Sequence, residues 1–491
     1  MTAMTDSSAR VASGEPSLRR ELRLWEAIAL SVGIMAPTLA MGLNGVLPAG
    51  LAGRAVPLVF LLGFVGVAFV AYSFVRLSRH FSHAGSVYAL AGATLGPRAG
   101  FFGGFALFGV YLVYSVSTLA ATALFGRTFL ASAGIWSDAP WFLLSIATAA
   151  GVWLLASRDV RVAARVLLSL EGLGVLLIIV LVAVILGTVI GGGPRGQSFD
   201  VNAFVPESGI GTSAILAATV FAFLSWAGFE GAASLGEETG NPRRNIPRAL
   251  VAALAITGAF YVVTMFAESV GFGTDAAGVK AFASSSAPLG ELARAYMNST
   301  AATALDLAAM ASAFASCLST TVAASRIMFA ISRDGLRSDS AFVRTSPTTG
   351  APITALAAVV AASFGIMCVF ALSGTHDPTD LYFYAATLGT LILLVVYAIT
   401  SLGGMRFLFG GRRAPIWQAV FPVIGIAYLV YVFYKQVHPV PDAPYNLFPY
   451  IAAGWLLLGL TIVLSRPTLA RRIGEGLERA EGFSPDAGAS R

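Results

Sequence analysis

Three groups of residues carry types and spacings that chemistry inside an apolar environment would need. The first is Glu230, which stands between Gly228 and Gly231 in the stretch FAFLSWAGFEGAASLGEE, Phe221–Glu238. An ionisable group in the middle of so apolar a run is expensive and is a functional candidate by default. The plainer alternative is a neutral acid bonded to a neighbouring helix. The second group lies in SVGIMAPTLAMGLNG, Ser31–Gly45, where Gly33 and Pro37 interrupt another apolar run. Pro37 has no N–H, so the carbonyl of Gly33, four residues back, loses its helical donor. A bare carbonyl in hydrocarbon costs several kcal/mol unless a cation, a substrate amine or a water satisfies it; the alternative is a proline kink packed on a neighbour. The third group is Glu171, alone among charged residues in its run, with Ser312, Ser316, Ser319 and Thr320 sharing one face of a later helix. Glu171 is a candidate proton carrier, a partner for a cation, or a structural acid. Ser316, Ser319 and Thr320, with the Gly33 and Met35 carbonyls, form a possible site for a weakly held monovalent cation; ordinary hydroxyl packing between helices is the alternative.

The elements that position these groups follow from composition. Of 491 residues, 57% are hydrophobic and only 11% charged, about half the charged share of a soluble domain. Mean hydropathy is +0.78. A string of soluble domains is excluded, and so is a largely disordered chain. The net charge of +6 comes from basic residues scattered between apolar runs and implies no nucleic-acid partner. Cys317 and Cys368 both lie inside apolar runs and build neither a disulfide framework nor a metal centre. Twelve runs reach the roughly 20 residues that a membrane helix requires: 25–49, 55–76, 98–126, 139–157, 166–190, 213–236, 248–271, 301–331, 353–372, 380–404, 416–435 and 446–464. The expected fold class is therefore all-α and integral to a membrane.

With the N-terminus placed in the cytoplasm, 25 of the 31 basic residues fall on the cytoplasmic side and 6 outside. This asymmetry predicts that both termini are cytoplasmic. Residues 1–21 and 465–491 read as polar, flexible cytoplasmic tails, and the first of them does not read as a signal peptide. The Arg-rich, Lys-poor composition points to a bacterial inner membrane.

The interruptions at Gly33–Pro37 and Gly228–Gly231 open the first spans of two five-span sets, over residues 25–190 and 213–404. Paired breaks at matching places point to an inverted-repeat transporter with its site at the bilayer midplane. There, half-helix N-termini offer N–H groups to a carboxylate, and freed carbonyls face an ammonium or small cation. Such a site suits a zwitterion.

Several motifs resemble those of the amino acid–polyamine–organocation (APC) permeases. The most specific is GFEGAASLGEETGNPRRNIPRA, Gly228–Ala249, with support from HAGSVYALAGATLGPRAGFFGG, His83–Gly104, SRIMFAISRDG, Ser325–Gly335, and PYNLFPY, Pro444–Tyr450. The resemblance covers about 22–464 and implies a transporter domain of five-plus-five inverted repeats with two additional C-terminal spans. It implies secondary active transport of amino acids coupled to H+ or Na+ or to exchange, with no cofactor. A polyamine or other amine permease of the same fold is the alternative.

By resemblance, substrate is bound between Gly33, Met35, Ala36 and Thr38 of span 1 and Leu224, Ser225, Trp226 and Ala227 of span 6. Pro37, Thr38 and Leu39 stand where relatives often have Gly-Ser-Gly, which leaves one backbone donor fewer for a carboxylate and gives an amine or another organic substrate more weight, still behind amino acids. The aromatic gate of the family falls on Leu224, with Phe223 or Trp226 as substitutes. A lysine that many relatives carry in span 5 aligns with Gly174, so no built-in ammonium is expected there. Glu230 and Glu171 are the coupling candidates. Glu237 and Glu238, with Arg243, Arg244 and Arg248, are expected to pair as part of an inner gate. Glu268 and Asp306 are expected to be solvated near the outer ends of spans 7 and 8, and residues 275–297 to lie over the outer vestibule as a mildly amphipathic segment.

Enzymatic readings fare worse. A membrane-embedded transferase would need clustered Asp or His for metal–phosphate or acid–base work. His80, His83, His376 and His438 all lie outside the apolar runs, and no run holds two acids at helical contact spacing.

Overall fold

A computed structural model of the chain describes residues 23–81, 86–158, 160–194, 196–235, 239–335, 341–346, 351–374, 377–469 and 471–472. The expected pairing of Glu237 and Glu238 and most of both tails lie outside these residues. Each apolar run is helical, the arrangement that satisfies backbone groups within one segment where water is absent. In chain order the helices are α1 (Leu24–Met35), α2 (Pro37–Leu43), α3 (Val46–Ala52), α4 (Val56–Leu77), α5 (Ser86–Leu95), α6 (Pro97–Ser132), α7 (Trp141–Ala156) and α8 (Val160–Ile190). They continue as α9 (Thr212–Leu224), a 3-10 helix (Phe229–Leu235), α10 (Pro242–Phe272), α11 (Ala276–Ala283), α12 (Pro288–Tyr296) and α13 (Ser299–Gly335). The last are α14 (Ile353–Leu372), α15 (Pro378–Met405), α16 (Val420–Val437) and α17 (Phe448–Ser465).

Among the described residues, eleven helical segments are long and apolar enough to cross a membrane, counting α1 with α2 and α3 with α4. The remaining expected span is α7, apolar but shorter. The protein is thus a multi-pass membrane protein. No strand element occurs among the described residues.

Burial sorts the helices. α13 and α15 are 67% and 72% buried over their most apolar windows, and α16 and α17 only 22%. The former, with α6, are the central pillars. The latter lie at the periphery, exposing Val430 and Leu457 among others. Glycine permits the closest approaches. A Cβ on Gly66 of α4 would strike the ring of Tyr428 on α16, and one on Gly109 of α6 would strike Trp455 of α17. Trp455 also donates its indole N–H to the Phe105 carbonyl at 3.2 Å and stacks on the Phe105 ring.

One expectation at the outer ends is corrected. Glu268 and Asp306 are not solvated but 1% and 2% exposed. Residues 275–297 include α11 and α12, which pack on α10, and α12 also packs on α13. Gly290 of α12 lies directly against the Asp306 carboxyl. Asp275 starts α11 by accepting the Gly278 N–H at 3.1 Å, and Tyr296 closes α12 onto the Gly271 carbonyl at 2.9 Å.

The glycine contacts are testable. Gly66→Val is expected to lower stability by about 1–3 kcal/mol, the usual cost of overpacking. Gly187→Ala, at a position with nothing within 4 Å, is expected to leave it unchanged or slightly raised. Thermal unfolding midpoints of the two variants in detergent decide the matter.

Candidate functional site

The first helix breaks where Pro37 demands it. Pro37 occupies the first position of α2, where its missing N–H costs nothing, and Ala36 links the halves at φ 47°, ψ 63°. A left-handed conformation at an alanine costs roughly 1–2 kcal/mol, so the surroundings enforce it. The Ala36 N–H turns back to the Gly33 carbonyl at 3.1 Å. The carbonyl expected to be bare is therefore paired. The donors that would have served Ile34 and Met35 are those of Thr38 and Leu39, and both are engaged elsewhere.

Their partners define the junction. The Thr38 N–H donates to Oε1 of Glu171 at 2.9 Å, and the Leu39 N–H to Oγ of Ser312 at 3.1 Å. The next amide, Ala40, closes onto Ala36 at 2.9 Å. The N-terminus of α2 is thus fully satisfied by the protein, with a carboxyl at its positive end. Of the readings open for Glu171, this geometry matches the acid bonded to span 1. Gly174 has no room for a side chain, since a Cβ there would meet the Thr38 hydroxyl at 2.6 Å.

The second break is built from glycine. α9 ends at Leu224, and the chain descends through tight turns from Ser225 to Gly228 before the 3-10 helix starts at Phe229. Gly228 has φ 95°, a conformation that costs glycine nothing. The two breaks touch. Ile34 fills the space beside Gly228 and Gly231, and the Ser31 hydroxyl donates to the Phe229 carbonyl at 3.2 Å. The glycines flanking Glu230 thus admit Ile34.

Glu230 is fully buried and repeats the pattern of Glu171. The N–H groups of Gly228 and of Glu230 itself approach its carboxyl, so it too sits at the start of a half-helix. Tyr111 of α6 donates to Oε1 at 3.3 Å, and Tyr397 of α15 donates to Oε2. Each oxygen therefore has a phenol from one of the central pillars.

Between the breaks lies a cavity lined by Met35, Ala36, Leu224, Ala227, Glu230, Ser316 and Thr320, all singled out from the sequence. Residues that sequence reasoning missed complete it: Asn44, Tyr111, Tyr114, Ser117 and Tyr382 are the main polar ones. Asn44 ties three elements together, donating to Ser225 Oγ at 2.9 Å and accepting from the Tyr382 hydroxyl at 2.8 Å. An amide inside an apolar run was the available signal for it; the tyrosines gave none beyond ordinary core composition. The free space, about 60 Å³, suits a few water molecules, so a substrate of amino-acid size requires the lining to part.

Other candidates lie outside the lining. Trp226 packs behind the break with Phe60, Phe64 and Tyr261, and Phe223 packs with Tyr397 and Tyr428. Leu224, not either aromatic, faces the cavity. Ser225 acts through Asn44, and Thr38 points its hydroxyl at Gly174. The expected cation set does not converge. The Gly33 carbonyl is closed on Ala36, Ser319 is outside the lining, and Thr320 donates to the Ser316 carbonyl at 2.8 Å. No group of three or more metal-ligating side chains occurs among the described residues.

Two interrupted helices meeting around a central cavity are the build of a secondary transporter. The chain belongs to the amino acid permease family, whose model matches residues 22–458, and so to the APC superfamily that its motifs resemble. It is 24% identical over 454 residues to the branched-chain amino acid permease BcaP of Lactococcus lactis subsp. cremoris, covering 89% of this chain and 92% of that one. The Bacillus subtilis protein of the same name is 25% identical over 79% of this chain and 81% of its own length. The low-affinity putrescine importer PlaP of Escherichia coli is 26% identical over about half of each chain, 51% and 53%. These relatives are transporters, not enzymes.

The junction at Glu171 yields a stability test. Glu171→Leu leaves the Thr38 N–H buried without an acceptor and is expected to cost about 1–3 kcal/mol. Glu171→Gln keeps an acceptor and is expected to lose less than half of that, read as unfolding midpoints in detergent.

Proposed function

We propose that this protein carries amino acids across the cytoplasmic membrane by alternating access around the cavity between its two broken helices. The observation that carries the reading is the contact of the breaks at Ala36 and Gly228 around a cavity with one carboxyl, Glu230. In this reading residues 25–190 and 213–404 are inverted repeats, both termini face the cytoplasm, and α11 and α12 cover the outer side. The carbonyls of Ile34 and Met35, which lack their helical donors, and the Glu230 carboxyl receive an ammonium. Asn44 and the tyrosine hydroxyls orient the rest. The largely apolar lining, with Leu39, Val110 and Leu393, fits a small apolar side chain, in keeping with the BcaP relatives. With no nucleotide-binding motif in the sequence, an ion or substrate gradient supplies the free energy, and Glu230 couples to protons.

One observation favours a second reading. Glu171 occupies the half-helix N-terminus that a substrate carboxylate would use, so a monoamine without a carboxylate satisfies the site equally well. Counterflow in proteoliposomes with labelled branched-chain amino acids and amines, with and without pH and sodium gradients, separates the two. Saturable exchange of amino acids with accumulation driven by an inward proton gradient is expected; exchange of amines alone overturns the primary reading. Glu230→Gln is expected to abolish gradient-driven accumulation while counterflow persists. Equal accumulation by variant and unaltered protein removes Glu230 from coupling.

A further inference from the structure

The cavity leaves one ionisable group unexplained. Glu268, near the end of α10, is 1% exposed, and neither carboxyl oxygen has a hydrogen-bond partner. It does not line the cavity. The described charged groups on the elements packed against α10 are Glu26 on α1, Arg76 on α4, Glu171 on α8, Glu230 in the 3-10 helix, Lys280 on α11, and Glu291 and Arg294 on α12. None makes a hydrogen bond to Glu268. Glu291, for one, is taken by the Ser285 hydroxyl at 2.6 Å. An ionised carboxylate there would bear the whole desolvation cost.

Glu268 is not isolated from other unsatisfied groups. Tyr261, Thr264 and Glu268 are spaced by three and four residues and so share a face of α10. The Tyr261 hydroxyl and Thr264 Oγ1 are buried and, like Glu268, unpartnered. The helix that carries them, α10, packs on α8, which carries Glu171. At Glu171 the second oxygen, Oε2, is unpartnered, and the Thr38 and Ser312 hydroxyls lie beside the carboxyl. Seven residues of helix from Tyr261 to Glu268 rise about 10 Å. This face thus belongs to a helix that packs on α11 and α12 and also on α8 and α2, which meet at the break in the first helix, and none of its three residues lines the cavity. Apolar side chains would fill these positions at lower cost.

We propose that Glu268 is a second protonation site, and that Tyr261, Thr264 and Thr38 connect it to Glu171 as a proton track separate from the substrate cavity. A neutral carboxyl at Glu268 needs no partner while α11 and α12 cover it. When those helices lift, the group exchanges its proton with water. Bridging water relays the proton past the hydroxyls to Glu171, whose carboxyl holds the N-terminus of α2. Proton arrival there weakens the bond to Thr38 and frees the break to move. The direction of entry rests on the transporter reading, with α11 and α12 outside; the protonation of Glu268 does not.

Two measurements on the full-length protein in proteoliposomes test this. Dicyclohexylcarbodiimide, an apolar reagent that attacks protonated carboxyls, is expected to modify Glu268, as read by peptide mass spectrometry. Above the group's midpoint the labelling is expected to fall about tenfold per pH unit and to be indifferent to sodium. Absence of an adduct, or protection by sodium at fixed pH, overturns the proposal. This readout needs no transport, so it stands even where the amino acid reading fails. Proton uptake driven by substrate, followed with a pH-sensitive dye, is expected to drop at least about tenfold in Glu268→Gln, in keeping with loss of a group in a proton relay. Tyr261→Phe is expected to slow that uptake and leave Glu268 labelling unchanged. Uptake equal to the unaltered protein in both variants sinks the track.

Discussion

A helix interrupted inside an apolar core must find new partners for the backbone groups it releases, and that demand organises this protein. Both interruptions meet it in the same way. At each, the start of the second half-helix is held by a glutamate of the chain itself, Glu171 at Thr38 and Glu230 at its own turn. The positive end of a half-helix and a negative or neutral carboxyl are complementary, and neither can stay buried cheaply without the other. The remaining features, from the glycines beside Ile34 to the tyrosines around Glu230, accommodate these two junctions.

The junctions differ in what surrounds them. Glu171, on α8, faces α2 and α13 and accepts from the Thr38 backbone, with the Thr38 and Ser312 hydroxyls beside it. Glu230 sits in an aromatic cage: Phe74 and Phe229 pack edge-on against each other and against Tyr397, which holds the carboxyl together with Tyr111. The two phenols belong to the central pillars, whereas Glu230 belongs to a discontinuous element. In the proposed cycle the carboxyl is thus a tie between a fixed part and a moving one. Its strength depends on whether its oxygens can accept from both phenols, which is where a proton would act.

Much of this architecture was legible in the sequence, because bilayer thickness translates directly into run length. Pro37 and Gly228 marked the interruptions through local chemistry alone. What fills the released N–H groups was not legible. The partner of Thr38 lies 133 residues away, and a hydroxyl face such as Ser312 to Thr320 reads the same whether it caps, packs or binds. Glu268 and Asp306 were misplaced because an acid near the end of an apolar run looks solvated until α11 and α12 fold over it. Asn44 and the tyrosines of α6 and α15 were missed because an aromatic residue in a membrane helix is ordinarily core.

The amide of Asn44 joins the first broken helix, the second broken helix and a pillar through two neutral hydrogen bonds. Each is worth roughly 1 kcal/mol net, because breaking it exposes groups that water can serve at once. Such a clasp registers three segments in the closed arrangement without trapping them there. In the proposed cycle thermal agitation undoes it easily, and the packing of Trp226 with Phe60, Phe64 and Tyr261 behind it is the larger contact to be broken.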